Sequence, residues 1–309
     1  MSDVIFLNSF NGLGGINMGD TENRREIVDA IASFYEKKCE AEIGGDLEAL
    51  YLFGSYAFGK ISLDLPDINY FLLLKEGVEP DVFLRNAEIL RQVCTQFKDS
   101  ATVMPEFRPN RYIYPIIKGA DFDVTLCTQY ARMEDRHGPV PFGWGWVFEA
   151  LLQTRKLVFG NDVLADVHQP PPTIDYIKTF FAPTFSHIWL PLERAPFQYA
   201  WPEESHLLMH EAYKVAQMAS IGFGVTLALS EEELAEKRWL EFVTDKDKLS
   251  AFYRERYDED KAANIQLMLE VRDNWLKHKK DPETALKMYR AAVHICTRIK
   301  AKYGELLHG

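Results

Sequence analysis

The stretch Leu52-Phe53-Gly54-Ser55-Tyr56-Ala57-Phe58-Gly59-Lys60, closely followed by Pro66-Asp67-Ile68-Asn69-Tyr70, decides how this chain is read. Residues 49–53 (ALYLF) form a short apolar run that stops at a glycine, as a buried strand does. Residues 68–74 (INYFLLL) form a second such run. A Gly-Ser turn after a strand and before a helix lets backbone N–H groups approach a phosphate, with the hydroxyl as one more donor and the helix N-terminus favouring the anion. Gly54 and Ser55 are therefore candidate phosphate contacts, and Lys60 is a candidate cation beside them. Along a strand, positions 67 and 69 share a face. Two oxygen-bearing side chains there suit Mg²⁺, which takes hard oxygen ligands and shares them with substrate phosphates. Asp123, between Phe122 and Val124, is a carboxylate in a second strand-like context and needs a partner if its face is buried. For Asp67, which follows Pro66, an ordinary turn is the competing reading.

Working outward, residues 21–38 carry Ile27, Ile31, Phe34 and Tyr35 at helical spacing, with Thr21 as a cap. A second amphipathic helix opens at Pro80 and Asp81 and presents Phe83, Ala87, Leu90, Cys94 and Phe97 on one face. Residues 112–117 and 122–127 read as two strands of a hairpin turned at 118–121. A helix over 144–153 and a short strand over 156–159 follow. At 169–173 the run QPPPT interrupts regular structure, and strand-like patterns nearly vanish beyond it. Helices are expected over 205–222, 231–257 (with a break), 260–279 and 282–307. The last starts with Asp281 as N-cap and Pro282 in the first turn. The expected class is α+β: a mixed sheet with flanking helices over 1–168, then an all-α helical bundle over 169–309.

Composition narrows the partners. The 309 residues hold 35 Lys+Arg against 46 Asp+Glu, a formal net charge of −11, and this acidity disfavours nucleic acid. No apolar run approaches a membrane span, and the N-terminus lacks the basic and apolar regions of a secretory signal, so a cytoplasmic protein is expected. The four cysteines, Cys39, Cys94, Cys127 and Cys296, have neither disulfide-framework nor CxxC spacing and read as buried thiols. Gly12-Leu13-Gly14-Gly15 lacks dinucleotide-fingerprint spacing and reads as a loop. His206 and His210 have metal-ligand spacing, yet without a zincin glutamate they read as helix-face or core histidines. Trp144 and Trp146 suit base stacking or a core, and Glu149 suits a solvated helix or a cleft base.

The order Gly54-Ser55, Asp67-Ile68-Asn69 and Asp123 resembles the nucleotidyltransferase superfamily related to DNA polymerase β, especially its small-substrate, aminoglycoside-modifying and minimal branch. Lys156 to Asp162 is similar to the strand and turn that closes the family's catalytic domain. The resemblance covers about residues 25–165 and extends in layout only to the helical half. It implies transfer of a nucleoside monophosphate from a nucleoside triphosphate, with ATP expected, to a hydroxyl of a small acceptor. It further implies Mg²⁺ held by Asp67, Asn69 and Asp123, catalysis by Asp67 and Asp123, and phosphate contacts from Gly54, Ser55 and Lys60. Asn69 departs from the family pattern, which has Asp there. An amide is the poorer hard-metal ligand, and Asp64 is a candidate substitute. Two readings follow: a transferase acting on a small, preferably cationic acceptor, or a degenerate relative that binds nucleotide or a protein partner. A homodimer is compatible with either.

Overall fold

The computed structural model describes residues 18–108, 117–137, 147–167, 171–199 and 205–308. Helix α1 (Met18–Ile43) leads into strand β1 (Leu47–Phe53), and β2 (Asp67–Leu74) follows the Gly-Ser segment. Helix α2 (Asp81–Phe97) then precedes strands β3 (Thr102–Arg108) and β4 (Asp123–Arg132). Helix α3 (Val147–Thr154) and strand β5 (Lys156–Gly160) complete this part. The strands form one sheet in the order β3-β4-β2-β1-β5. Strand β1 is antiparallel to β2 and β5, while β2, β4 and β3 run parallel. The sheet is therefore mixed, and the chain is α+β with a helical C-terminal part.

The expected hairpin at 118–121 does not form. Both neighbours of β4 are parallel to it, which leaves no place for a hairpin partner. Residues 112–116 of the expected first strand lie outside the described residues. The connection before β4 is instead fastened to the start of β3: Ala120 N–H donates to Lys98 O at 2.7 Å and Thr102 N–H to Phe122 O at 2.7 Å. Gly119 fits here because a Cβ would meet Ala101 O at 2.0 Å. Strand β3 contains Pro105, which cannot donate to a ladder, and β3 accordingly lies at the sheet edge.

One sheet face, carrying Leu50, Leu52, Ile68, Tyr70, Leu72 and Leu126, packs on α1 and α2 through Ile31, Tyr35, Ile89 and Val93. The opposite face is shared. Ala49, Tyr51, Phe71 and Leu73 pack on Phe148 and Leu151 of α3, whereas Met104 joins the core of the helical part.

That part begins with α4 (Ile174–Tyr199), which contains Pro183, Pro191 and Pro196. Helix α5 (Ser205–Met218) passes into a π-helical turn (Ala219–Gly224) and the short α6 (Val225–Ala228). The expected long helix over 231–257 is three short ones: α7 (Glu231–Ala235), α8 (Leu240–Thr244) and α9 (Leu249–Arg256). Ser230 and Glu233 form a capping box that starts α7. Helices α10 (Glu259–Asp273), α11 (Trp275–His278) and α12 (Pro282–His308) finish the chain. Asp281 caps α12, as its position before Pro282 predicts: its Oδ1 accepts from Glu283 N–H at 3.0 Å. Among the described residues, no helix is long and apolar enough to cross a membrane.

Candidate functional site

The turn after β1 is built by two glycines. Gly54 (φ +76°) and Gly59 (φ +80°) both adopt left-handed backbone, where a side chain is strained. Between them, Ala57 N–H donates to Gly54 O at 3.0 Å and Lys60 N–H to Ser55 O at 2.8 Å. No helix follows the Gly-Ser pair; successive turns orient the backbone instead. Gly54 N–H donates to Thr154 Oγ1 at 3.1 Å, which pins the turn to the end of α3. A Cβ on Gly54 would lie 3.4 Å from Asn69 Nδ2, so the turn and the amide are in direct apposition. Lys60 lies at the exposed end of the turn.

Strand pairing sets the heights of the polar groups on the shared face. Asp67 is level with Thr125 on β4, and Thr125 with Met104 on β3. One step on, Asn69 is level with Cys127, and Cys127 with Glu106. Glu106 is fully buried. It is a carboxylate that sequence reading misses, because Pro105 hides the strand pattern. The alternation of Thr102, Met104 and Glu106 against Val103 is the signal that could have found it.

Helix α5 supplies the facing groups. Lys214, only 1% exposed, forms an ion pair with Asp67 Oδ2, and its Nζ lies 3.7 Å from Glu106 Oε2. One turn earlier, His210 Nε2 and Thr125 Oγ1 are 3.0 Å apart. His210 is thus a buried core histidine of the interface between sheet and helices. Lys214 is a second residue missed by sequence reading; a lysine among Ala212, Tyr213, Val215 and Ala216 was its only mark.

Asp123 is drawn elsewhere. Its Oδ2 accepts from Trp275 Nε1 at 2.8 Å and from Lys279 Nζ at 2.9 Å, all three side chains being buried. Lys279 also lies 2.8 Å from Asp121, and Lys280 pairs with that same carboxylate. Burial raises the Asp121 pKa, but the two lysines outweigh it and leave it lowered. Asp64 pairs with Arg24 at 3.0 Å, and burial outweighs this partner, so its pKa is raised. The structure thus brings together Gly54, Ser55, Asn69 and Asp67, adds Glu106 and Lys214, and commits Asp123 and Asp64 to other cations.

Glu149 is buried and paired with Lys237 at 2.9 Å and Gln153 at 3.1 Å. Lys237 is a non-glycine residue with left-handed backbone (φ 56°), and it ties α3 to the turn after α7. Trp144, Trp146 and the early glycine-rich segment lie outside the described residues.

As arranged, these side chains do not fit two protein-held Mg²⁺ ions. Asp67 faces the ammonium of Lys214 and Asp123 that of Lys279. Among the described residues no group of three or more His, Cys, Asp or Glu is placed to hold a metal.

No family model matches the chain, and no curated protein matches it. Among solved structures, the chain is similar to spectinomycin adenyltransferase AAD(9) from Enterococcus faecialis, solved with ATP and spectinomycin. The two share 14% identity with a TM-score of 0.33 over 82% of this chain and 99% of that one.

Proposed function

We propose that the chain transfers a nucleoside monophosphate from a nucleoside triphosphate, ATP in the first instance, to a hydroxyl of a small acceptor. The observation that carries this reading is the apposition of the Gly54 turn to Asn69, on the strand where Asp67 shares an ammonium with the buried Glu106. In it, Gly54, Ser55 and Lys60 hold the phosphates. The acceptor oxygen attacks the α-phosphorus, the bond to the bridging oxygen breaks, and pyrophosphate leaves. The acceptor proton passes to a carboxylate of the Asp67–Glu106 pair. Asp123 takes an anchoring role between β4 and α11. Mg²⁺ travels with the triphosphate, and no step is assigned to a protein-held ion. The net charge of −11 favours a cationic acceptor over a polynucleotide.

The test is pyrophosphate release from each nucleoside triphosphate in the presence of a panel of amino-sugar and aminocyclitol acceptors, with product mass by spectrometry. Asp67→Asn and Glu106→Gln are each expected to lower turnover at least about 100-fold. The absence of product from every pair, in protein that still binds nucleotide, would sink the reading. Asn69 favours the second reading, nucleotide binding without transfer, because it removes one charge from the family's metal set.

A further inference from the structure

Lys214 is a cation in an unusual place. Its helix is buried on nearly every side: Leu207, Leu208, Met209, Ala212, Tyr213, Val215 and Ala216 are all in the core. A charge so deep is costly unless it is paired. Here the pairing is with two carboxylates from two strands, Asp67 of β2 and Glu106 of β3. That is the position and task of a divalent ion between paired carboxylates. The third member of the group, Asn69, is uncharged and donates through Nδ2 to Asp67 O at 3.3 Å. An aspartate at 69 would restore the charge that a metal requires.

We propose that Lys214 is the resident cation of this site. Its tethered ammonium takes the place of a protein-held metal ion between Asp67 and Glu106, and Asn69 is the matching loss of a ligand charge. The inference deepens the transferase reading and rests on it only for the identity of the site. A bare divalent ion is therefore excluded from the nucleotide-free protein, because the ammonium already occupies the place between the two carboxylates.

The probe is Mn²⁺ alone, titrated into the full chain without nucleotide and followed by loss of the free-ion EPR signal. Wild-type uptake is expected to equal that of Asp67→Asn, since whatever the acidic surface takes up is common to both. Lys214→Met, similar in length and uncharged, is expected to gain a site at least about tenfold tighter, and Asp67→Asn in that background is expected to remove it. Wild-type uptake exceeding that of Asp67→Asn overturns the proposal, as does a folded Lys214→Met that gains nothing. Should Lys214→Met not fold, Lys214→Gln takes its place; should neither fold, the wild-type comparison with Asp67→Asn decides alone. No turnover is measured, so this result is independent of the pyrophosphate assay: either can fail while the other stands.

Discussion

Asp123 and Lys279 form a buried ion pair 2.9 Å long that joins the first residue of β4 to the residue following α11. Trp275, one helical turn before Lys279, donates to the same carboxylate oxygen. Removing one partner strands the other charge in the core. Lys279→Met is expected to destabilise the protein by about 3 kcal/mol in urea unfolding, and the double variant Asp123→Asn/Lys279→Met to recover part of that loss. An Asp123→Asn protein of unchanged stability that has lost all transfer would return Asp123 to the reacting groups.

Gly54 and Gly59 separate strain from contact. Both have left-handed backbone, so Ala at either should cost about 1–2 kcal/mol. Around Gly59 the space is open, while a Cβ at Gly54 meets Asn69. Gly54→Ala should therefore weaken nucleotide binding by calorimetry more than Gly59→Ala, at similar loss of stability. Equal binding losses would show that the apposition to Asn69 does not matter.

Asn69 is buried and its Nδ2 donates to the Asp67 carbonyl oxygen at 3.3 Å, so a carboxylate there would meet an acceptor in place of its donor bond. Asn69→Asp is expected to lower stability by about 1–3 kcal/mol in EDTA and to regain part of it with millimolar Mg²⁺. Thermal melts with and without the ion measure this. An Asn69→Asp melt indifferent to Mg²⁺ would mean that the corner cannot accept a metal even when a carboxylate is restored.

Glu36 gives a pH dependence with a definite sign. Burial raises its pKa from 4.5, partly offset by the hydroxyl of Tyr70, which donates to Oε1 at 2.8 Å. The folded form therefore holds its proton more tightly than the unfolded chain. This contribution is fully present below pH 4.5 and is lost as the pH rises through the higher folded value. Glu36→Gln should flatten the stability profile just above pH 4.5 and stabilise the protein at pH 7. A profile unchanged by the substitution would exclude Glu36 as its source.

The thiols should be inert. Cys39, Cys94, Cys127 and Cys296 are free and buried. Burial pushes Cys39 and Cys296 up to about 12 and Cys94 up to about 11. Native protein at pH 8 is expected to resist iodoacetamide, with alkylation appearing only in denaturant. Labelling of a cysteine in native protein at the rate of a free thiol would contradict the packing of its element.

Much of the fold was legible because burial writes a simple pattern. Strand β1 ends in the apolar run 49–53 and β2 in the run 70–74, and α12 announces itself with Asp281 and Pro282. Part of what stayed hidden was hidden by proline. Pro105 disguised β3 and with it Glu106, although an edge strand tolerates a residue that cannot donate. Pro183, Pro191 and Pro196 disguised α4, whose Ile177, Phe181, Phe185, Ile188 and Leu192 nonetheless fall at helical spacing in the core. The order of Gly54, Ser55, Asp67 and Asn69 along the chain pointed to the joined ends of β1 and β2, where they lie. Lys214 could not, because its partners are more than a hundred residues away and nothing local explains a lysine there.

The depth of α5 has a consequence in time. A ribosome delivers β1 to β5 before Ser205, so the strands bearing Asp67 and Glu106 are synthesised before the lysine that pairs with them. A nascent chain whose sheet forms before α5 is made therefore carries Asp67 and Glu106 without the ammonium that meets them in the finished protein. The contact between α5 and the sheet joins residues more than a hundred positions apart, so it belongs to the assembly of the whole chain and not to the sheet alone.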